Sequence, residues 1–152
     1  MKKFSFKMKS LLFIALVMFF ALQTGVSAAT IPIGDAGEDF TLTINAAHAD
    51  DSFAVYKLIN VSYDGNKNKV TYSWTAEASG YIGGLPSTSS YANLQVATFQ
   101  NWANDSSDIK AFLGGFAAYV KTQTELDPYT GTAVNKTCTI TGMEMGQYVI
   151  LG

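Results

Sequence analysis

Alternation of apolar and polar positions dominates the chain. Phe40, Leu42 and Ile44 alternate with Thr41, Thr43 and Asn45, which predicts a half-buried strand, because successive strand side chains point to opposite faces. Ser52 to Tyr63 is the longest strand expected. Phe53, Val55, Ile59, Val61 and Tyr63 fall on one face, with Lys57 in phase with them. Asp64-Gly65-Asn66 is a turn signal, Lys67 to Lys69 solvates the tip, and Val70, Tyr72 and Trp74 alternate back as a hairpin partner. Near the end, Thr137, Thr139 and Thr141 alternate with Cys138 and Ile140. Gly142 and Gly146 bracket a turn, and Tyr148 to Leu151 begin a second strand, so Thr137 to Gly152 reads as a β-hairpin. The sequence stops inside that strand with nothing over its edge, so these residues read as the front part of a longer protein.

A different period appears from Ile109. Ile109, Phe112, Leu113, Phe116 and Val120 share one face of a helix. Asp105, Ser106 and Ser107 offer N-caps, and Lys121 suits the negative end of the helix dipole. Gly114-Gly115 costs this helix about 1 kcal/mol each relative to Ala, a loss that close packing against a sheet offsets. Leu94 to Ala103 reads as a second, short helix. Glu77 to Asn93 and Asp127 to Asn135 read as loops, the first with a short strand or turn near Tyr81 to Leu85. Trp74, in phase with Val70 and Tyr72, is expected in a core. The sum is a mainly β chain: an antiparallel Ig-like β-sandwich with one or two helices, incomplete at its C-terminus.

Charge divides the 152 residues unevenly. Lys2, Lys3, Lys7 and Lys9 lie at the start, followed by an apolar run from Leu11 to Leu22 and by Val26-Ser27-Ala28, small residues in the pattern of a cleavage site. The run is shorter than the about 20 apolar residues a membrane crossing takes. Residues 1–28 are therefore expected to be a signal peptide, residues 29–39 an extended lead-in and residues 40–152 the domain, secreted to the cell surface. Beyond the first nine residues, six lysines face twelve acidic residues, a net charge of −6, and arginine is absent. Such a body is a poor partner for nucleic acid, whose phosphates are met by Lys and Arg. Cys138 is the only cysteine, so this stretch forms no internal disulfide.

Little in the sequence points to catalysis. His48 and Cys138 do not make a metal site, for which clustered ligands are needed, and no cofactor is expected. Gly80 to Gly84 lacks the lysine of a phosphate loop. No G-x-S-x-G frames a serine, so the chain is not expected to be an enzyme. Asn60, Asn104 and Asn135 each begin an N-x-S/T sequon. Tyr81, Tyr91 and Trp102 are candidates for a sugar-stacking platform, which makes a secreted carbohydrate-binding module the alternative function.

Four stretches carry a family likeness: FTLTINAA at 40–47, DSFAVYKLINV at 51–61, IKAFLGGFAAYV at 109–120 and TITGMEMGQYVIL at 139–151. With the targeting segment, the chain resembles the N-terminal domain of Gram-positive isopeptide-forming fimbrial (pilin) subunits and their Ig-like CnaB relatives. The resemblance implies a shaft or tip subunit, with other pilin subunits, a sortase, the peptidoglycan wall and a host glycan or protein as partners. It also implies the family's Lys–Asn or Lys–Asp isopeptide bond, assisted by a buried carboxylate. Here the candidates are Lys57, the one lysine in phase with an apolar strand face, with Glu144 as the carboxylate and Asn135 as the acceptor. The family's reactive lysine commonly lies on the first strand, where this chain has Thr43 and Asn45. The sorting signal and pilin-motif lysine would lie beyond Gly152.

Overall fold

The computed structural model describes residues 26–30, 39–64, 69–103 and 105–152. The lysine-rich start and apolar run, most of the 29–39 lead-in, the Gly65 to Asn68 tip and the Asn104 sequon lie outside the described residues.

Among the described residues ten elements follow in order: β1 (Val26–Thr30), β2 (Phe40–Asn45), β3 (Ser52–Asp64), β4 (Lys69–Trp74), α1 (Ala76–Gly83), α2 (Val96–Gln100), α3 (Ser107–Val120), β5 (Tyr129–Thr132), β6 (Thr137–Met143) and β7 (Gly146–Leu151). One sheet has the order β1-β7-β3-β4, with β5 beside the first half of β3. The other pairs β2 with β6. Every described pairing is antiparallel. Among the described residues the fold is thus mainly β and antiparallel, with three short helices rather than one or two.

The layers follow from which faces are apolar. The small sheet buries Leu42, Ile44, Cys138, Ile140 and Met143 against Val55 and Tyr148 of the large sheet. The opposite face of the large sheet, with Leu58, Ile59, Val149 and Leu151, is covered by the helices. There Phe112 and Phe116 are fully buried, and Trp74 packs edge-on to Phe99 while its Nε1 donates to the Leu94 carbonyl at 2.8 Å.

Four expectations are corrected. First, β6 and β7 are not a hairpin: they are consecutive but belong to different sheets. β7 is buried on both faces, as a central strand must be, and its edges are taken by β1 and β3. Second, the face of β3 changes midway. Lys57 pairs with Tyr148 but Ile59 pairs with Gln147, so Leu58 is the extra residue of a bulge. Before it, Phe53 and Val55 face the small sheet. After it, Ile59 joins the helix side. Third, Glu77 to Gly83 is helix, not loop. Thr75 caps it, its Oγ1 accepting from the Ala78 amide at 3.2 Å, and Ala78, Tyr81 and Ile82 form the buried stripe. The two internal glycines masked that stripe. Fourth, Tyr129–Thr132 is a strand on β3, and a tight turn leads from it to β6. Asn135 and Lys136 at the turn have φ of 52° and 66°, the left-handed pair of a two-residue turn.

Candidate functional site

The junction of β3 with the β6–β7 connection gathers the polar groups that sequence reasoning singled out. The Leu58 bulge leaves Lys57 on the small-sheet side, beside Tyr148. Its stem runs over Gly146, where an added Cβ would lie 2.6 Å from Lys57 Cε. The glycine therefore makes room for the lysine. Lys57 is 18% exposed in its side chain, and its Nζ donates to Glu144 Oε2 at 2.8 Å. Glu144 is 73% exposed. That hydrogen bond, and then the lysine charge, hold the Glu144 carboxyl below the usual carboxylate range.

Tyr148 completes the junction. Its hydroxyl donates to the Glu144 carbonyl at 2.6 Å, and its ring stands edge-on to Tyr129 with centroids 5.9 Å apart. Burial, then Tyr129 and the Glu144 charge, push the Tyr148 phenol well above its ordinary value, so it stays a neutral donor. A shallow cleft of about 120 Å³ opens beside Lys57, between Tyr56, Glu77 and Tyr129.

Chemically, this is a clasp: an ion pair and a buried phenol tie β3 to the connection between the sheets. The crosslink implied by the resemblance needs a carboxyl kept protonated by burial, and Glu144 is neither buried nor protonated. Nor does Asn135 approach Lys57. Thr132 pairs with Ser52, five residues from Lys57, about 16 Å at the rise of a strand. Asn135 lies farther along, on an exposed turn. The pairing of Lys57 with Asn135 is corrected on that ground, while Lys57 and Glu144 are brought together.

The aromatic candidates lie on the helix side. Tyr81 is buried: its ring packs against Phe112, Phe116 and Tyr119, and burial, then Tyr91, raises its hydroxyl pKa. It presents no face to a sugar. Tyr91 and Trp102 are half-buried and edge-to-face at 5.8 Å, both packed on Phe112. His48 sits in an exposed turn, its backbone amide donating to Asp51. The sequence does not mark Tyr148, Gly146 and Tyr129 as parts of the junction. The only hint was that Gly146 and Tyr148 stand two apart on a strand, on the same face.

No protein-family model, curated protein or solved structure matches this chain.

Proposed function

We propose that the chain is a structural domain of a Gram-positive surface fibre: exported, without enzymatic activity, and an Ig-like sandwich carrying an added helix layer. One observation carries the reading. The four stretches that resemble fimbrial subunits fold into a single stack. FTLTINAA supplies β2, DSFAVYKLINV supplies most of β3, IKAFLGGFAAYV supplies most of α3, and TITGMEMGQYVIL supplies most of β6 and the whole of β7. β2 and β6 form one sheet, β3 and β7 lie side by side in the other, and Leu42, Ile140, Val55 and Tyr148 fill the space between. Distant stretches that pair this way give a body held together by interlocked strands, which suits a subunit that must keep its shape outside the cell. On this reading the Lys57–Glu144 clasp is a fastening rather than a reacting pair, and the partners are other subunits, a sortase and the wall.

The test is an immunoblot of enzymatically released wall material from cells that make the protein, probed with an antibody to this domain. A ladder of heat- and detergent-resistant high-mass species is the expected result. A single band at monomer mass, found only in the medium, would overturn the proposal.

A further inference from the structure

The residues that the sequence marks for removal are the ones that close the edge of the large sheet. β1 lies antiparallel to β7, with Val26 opposite Leu151, Ser27 opposite Ile150, Ala28 opposite Val149, Ala29 opposite Tyr148 and Thr30 opposite Gln147. Val26-Ser27-Ala28 is also the small-residue pattern of a cleavage site. Hydrolysis of the Ala28–Ala29 peptide bond by water, in an export peptidase, leaves a carboxylate on Ala28 and an amine on Ala29. Three of the five ladder positions leave with the released segment.

The strand so uncovered is not built to be an edge. Natural edges are guarded by charge, proline, shortness or a covering element. Gly146 to Leu151 contains neither a charged residue nor a proline, and Tyr148, Val149 and Leu151 are buried. α3 contacts both β1 and β7, so the cut also strips cover from the flank of that helix. The far side of the sheet differs: β4 begins with the exposed Lys69 and is mostly exposed along its length, and β5 has only four residues.

We propose that, after processing, the Val149–Leu151 edge of β7 is an acceptor for an extended peptide strand supplied by another polypeptide. The ligand runs antiparallel to β7, is uncharged, and carries small or β-branched residues, because that is the chemistry of the Val-Ser-Ala-Ala-Thr strand the edge holds. Backbone hydrogen bonds supply the affinity, as in other strand-addition complexes. The inference rests on the export reading given above.

The experiment begins with the full chain secreted from a bacterial host and the N-terminus of the product sequenced. The product is then titrated with a fluorescent peptide of residues 24–30, TGVSAAT. The expected result is an N-terminus at Ala29 and saturable binding. Binding should weaken at least tenfold for a peptide N-methylated at alternate amides, and for the uncleaved Ala28→Leu precursor in detergent. Amide exchange should slow, when the peptide is added, at those of Val149, Ile150 and Leu151 whose N–H points to the β1 side rather than to β3. Failure of secretion, or an N-terminus outside β1, would overturn the export reading and this proposal with it. An Ala29 terminus with no peptide binding and a monomeric chain would overturn the acceptor edge alone, leaving export standing. An Ala29 terminus with a stable dimer and no peptide binding would give the edge to a second copy of the chain, and so overturn a foreign strand.

Discussion

Gly114 and Gly115 are neighbours in α3, and their replacement should have opposite signs. A Cβ on Gly114 meets nothing within 4 Å, whereas a Cβ on Gly115 would overlap the Tyr81 hydroxyl. Gly114→Ala should therefore stabilise the fold by about 1 kcal/mol, the helix-propensity difference. Gly115→Ala should destabilise it by about 1–2 kcal/mol, since overpacking costs about 1–3 and propensity returns part of it. Urea midpoints of the two variants decide the matter. The same logic is stricter at Gly146, where a Cβ would lie 2.8 Å from the Ile59 carbonyl as well as against Lys57. Backbone cannot step aside as a side chain can. The Lys57–Glu144 pair has a pH signature. The folded-state pKa of Glu144 is lowered, so its contribution is complete above the unfolded value near 4.5. It fades as pH falls through the lower folded value. Because Glu144 is largely exposed, Glu144→Gln should cost less than about 1 kcal/mol at pH 7. The gap from the parent should close in acid, as read by urea midpoints between pH 7 and pH 3. The folded chain should show the intact mass of its uncrosslinked sequence, and a loss of ammonia abolished by Lys57→Ala would refute the clasp.

Thr75 joins two elements through one hydroxyl. Its Oγ1 caps α1 at the Ala78 amide and donates to the Lys57 carbonyl on β3 at 3.2 Å, and the residue is buried. Thr75→Ala loses both bonds and should cost about 1–2 kcal/mol, while Thr75→Ser should recover most of it; thermal melts of the three proteins check this. Thr75 also shows why part of the fold was hidden from the sequence. The period of α3 is carried by large residues and survives two glycines, so it was legible. In α1 the stripe is only Ala78, Tyr81 and Ile82, and the glycines around it speak louder than the cap before it. β2 and β6 face solvent on one side, and their alternation reads directly. β7 is buried on both faces and cannot disclose by alternation which sheet it joins. The β3 bulge is a matter of pairing, since only the opposite strand reveals that Leu58 has no place in the ladder. For the same reason Lys57 could be singled out as an inward-facing lysine, and Glu144 named with it, while Tyr148 and Gly146 could not be seen around them.

The two cores share their central wall. β3 gives Val55 to the small-sheet side and Leu58 to the helix side, and β7 gives Tyr148 to the first and Val149 to the second. A two-stranded sheet is marginal by itself in water, so β2–β6 has no stability to spare once β3 and β7 separate. Conversely, losing the small sheet would bare Val55 and Tyr148, both fully buried. The molecule should therefore unfold as one unit, and it carries its own pair of reporters. The two tryptophans, Trp74 and Trp102, pack on the helix-side core, and the single cysteine, Cys138, is fully buried in the other. Burial raises the Cys138 thiol pKa, so a thiol reagent should not touch it until the small sheet opens. Tryptophan emission and brief pulses of thiol labelling, followed across a urea titration, are expected to give one midpoint. Met143→Ala removes a fully buried side chain from the small-sheet core alone. It should cost about 2–5 kcal/mol and move both curves together, although no tryptophan lies in that core. Labelling of Cys138 at urea concentrations that leave tryptophan emission unchanged would show instead that the small sheet opens independently and that β3 and β7 insulate the two cores rather than couple them.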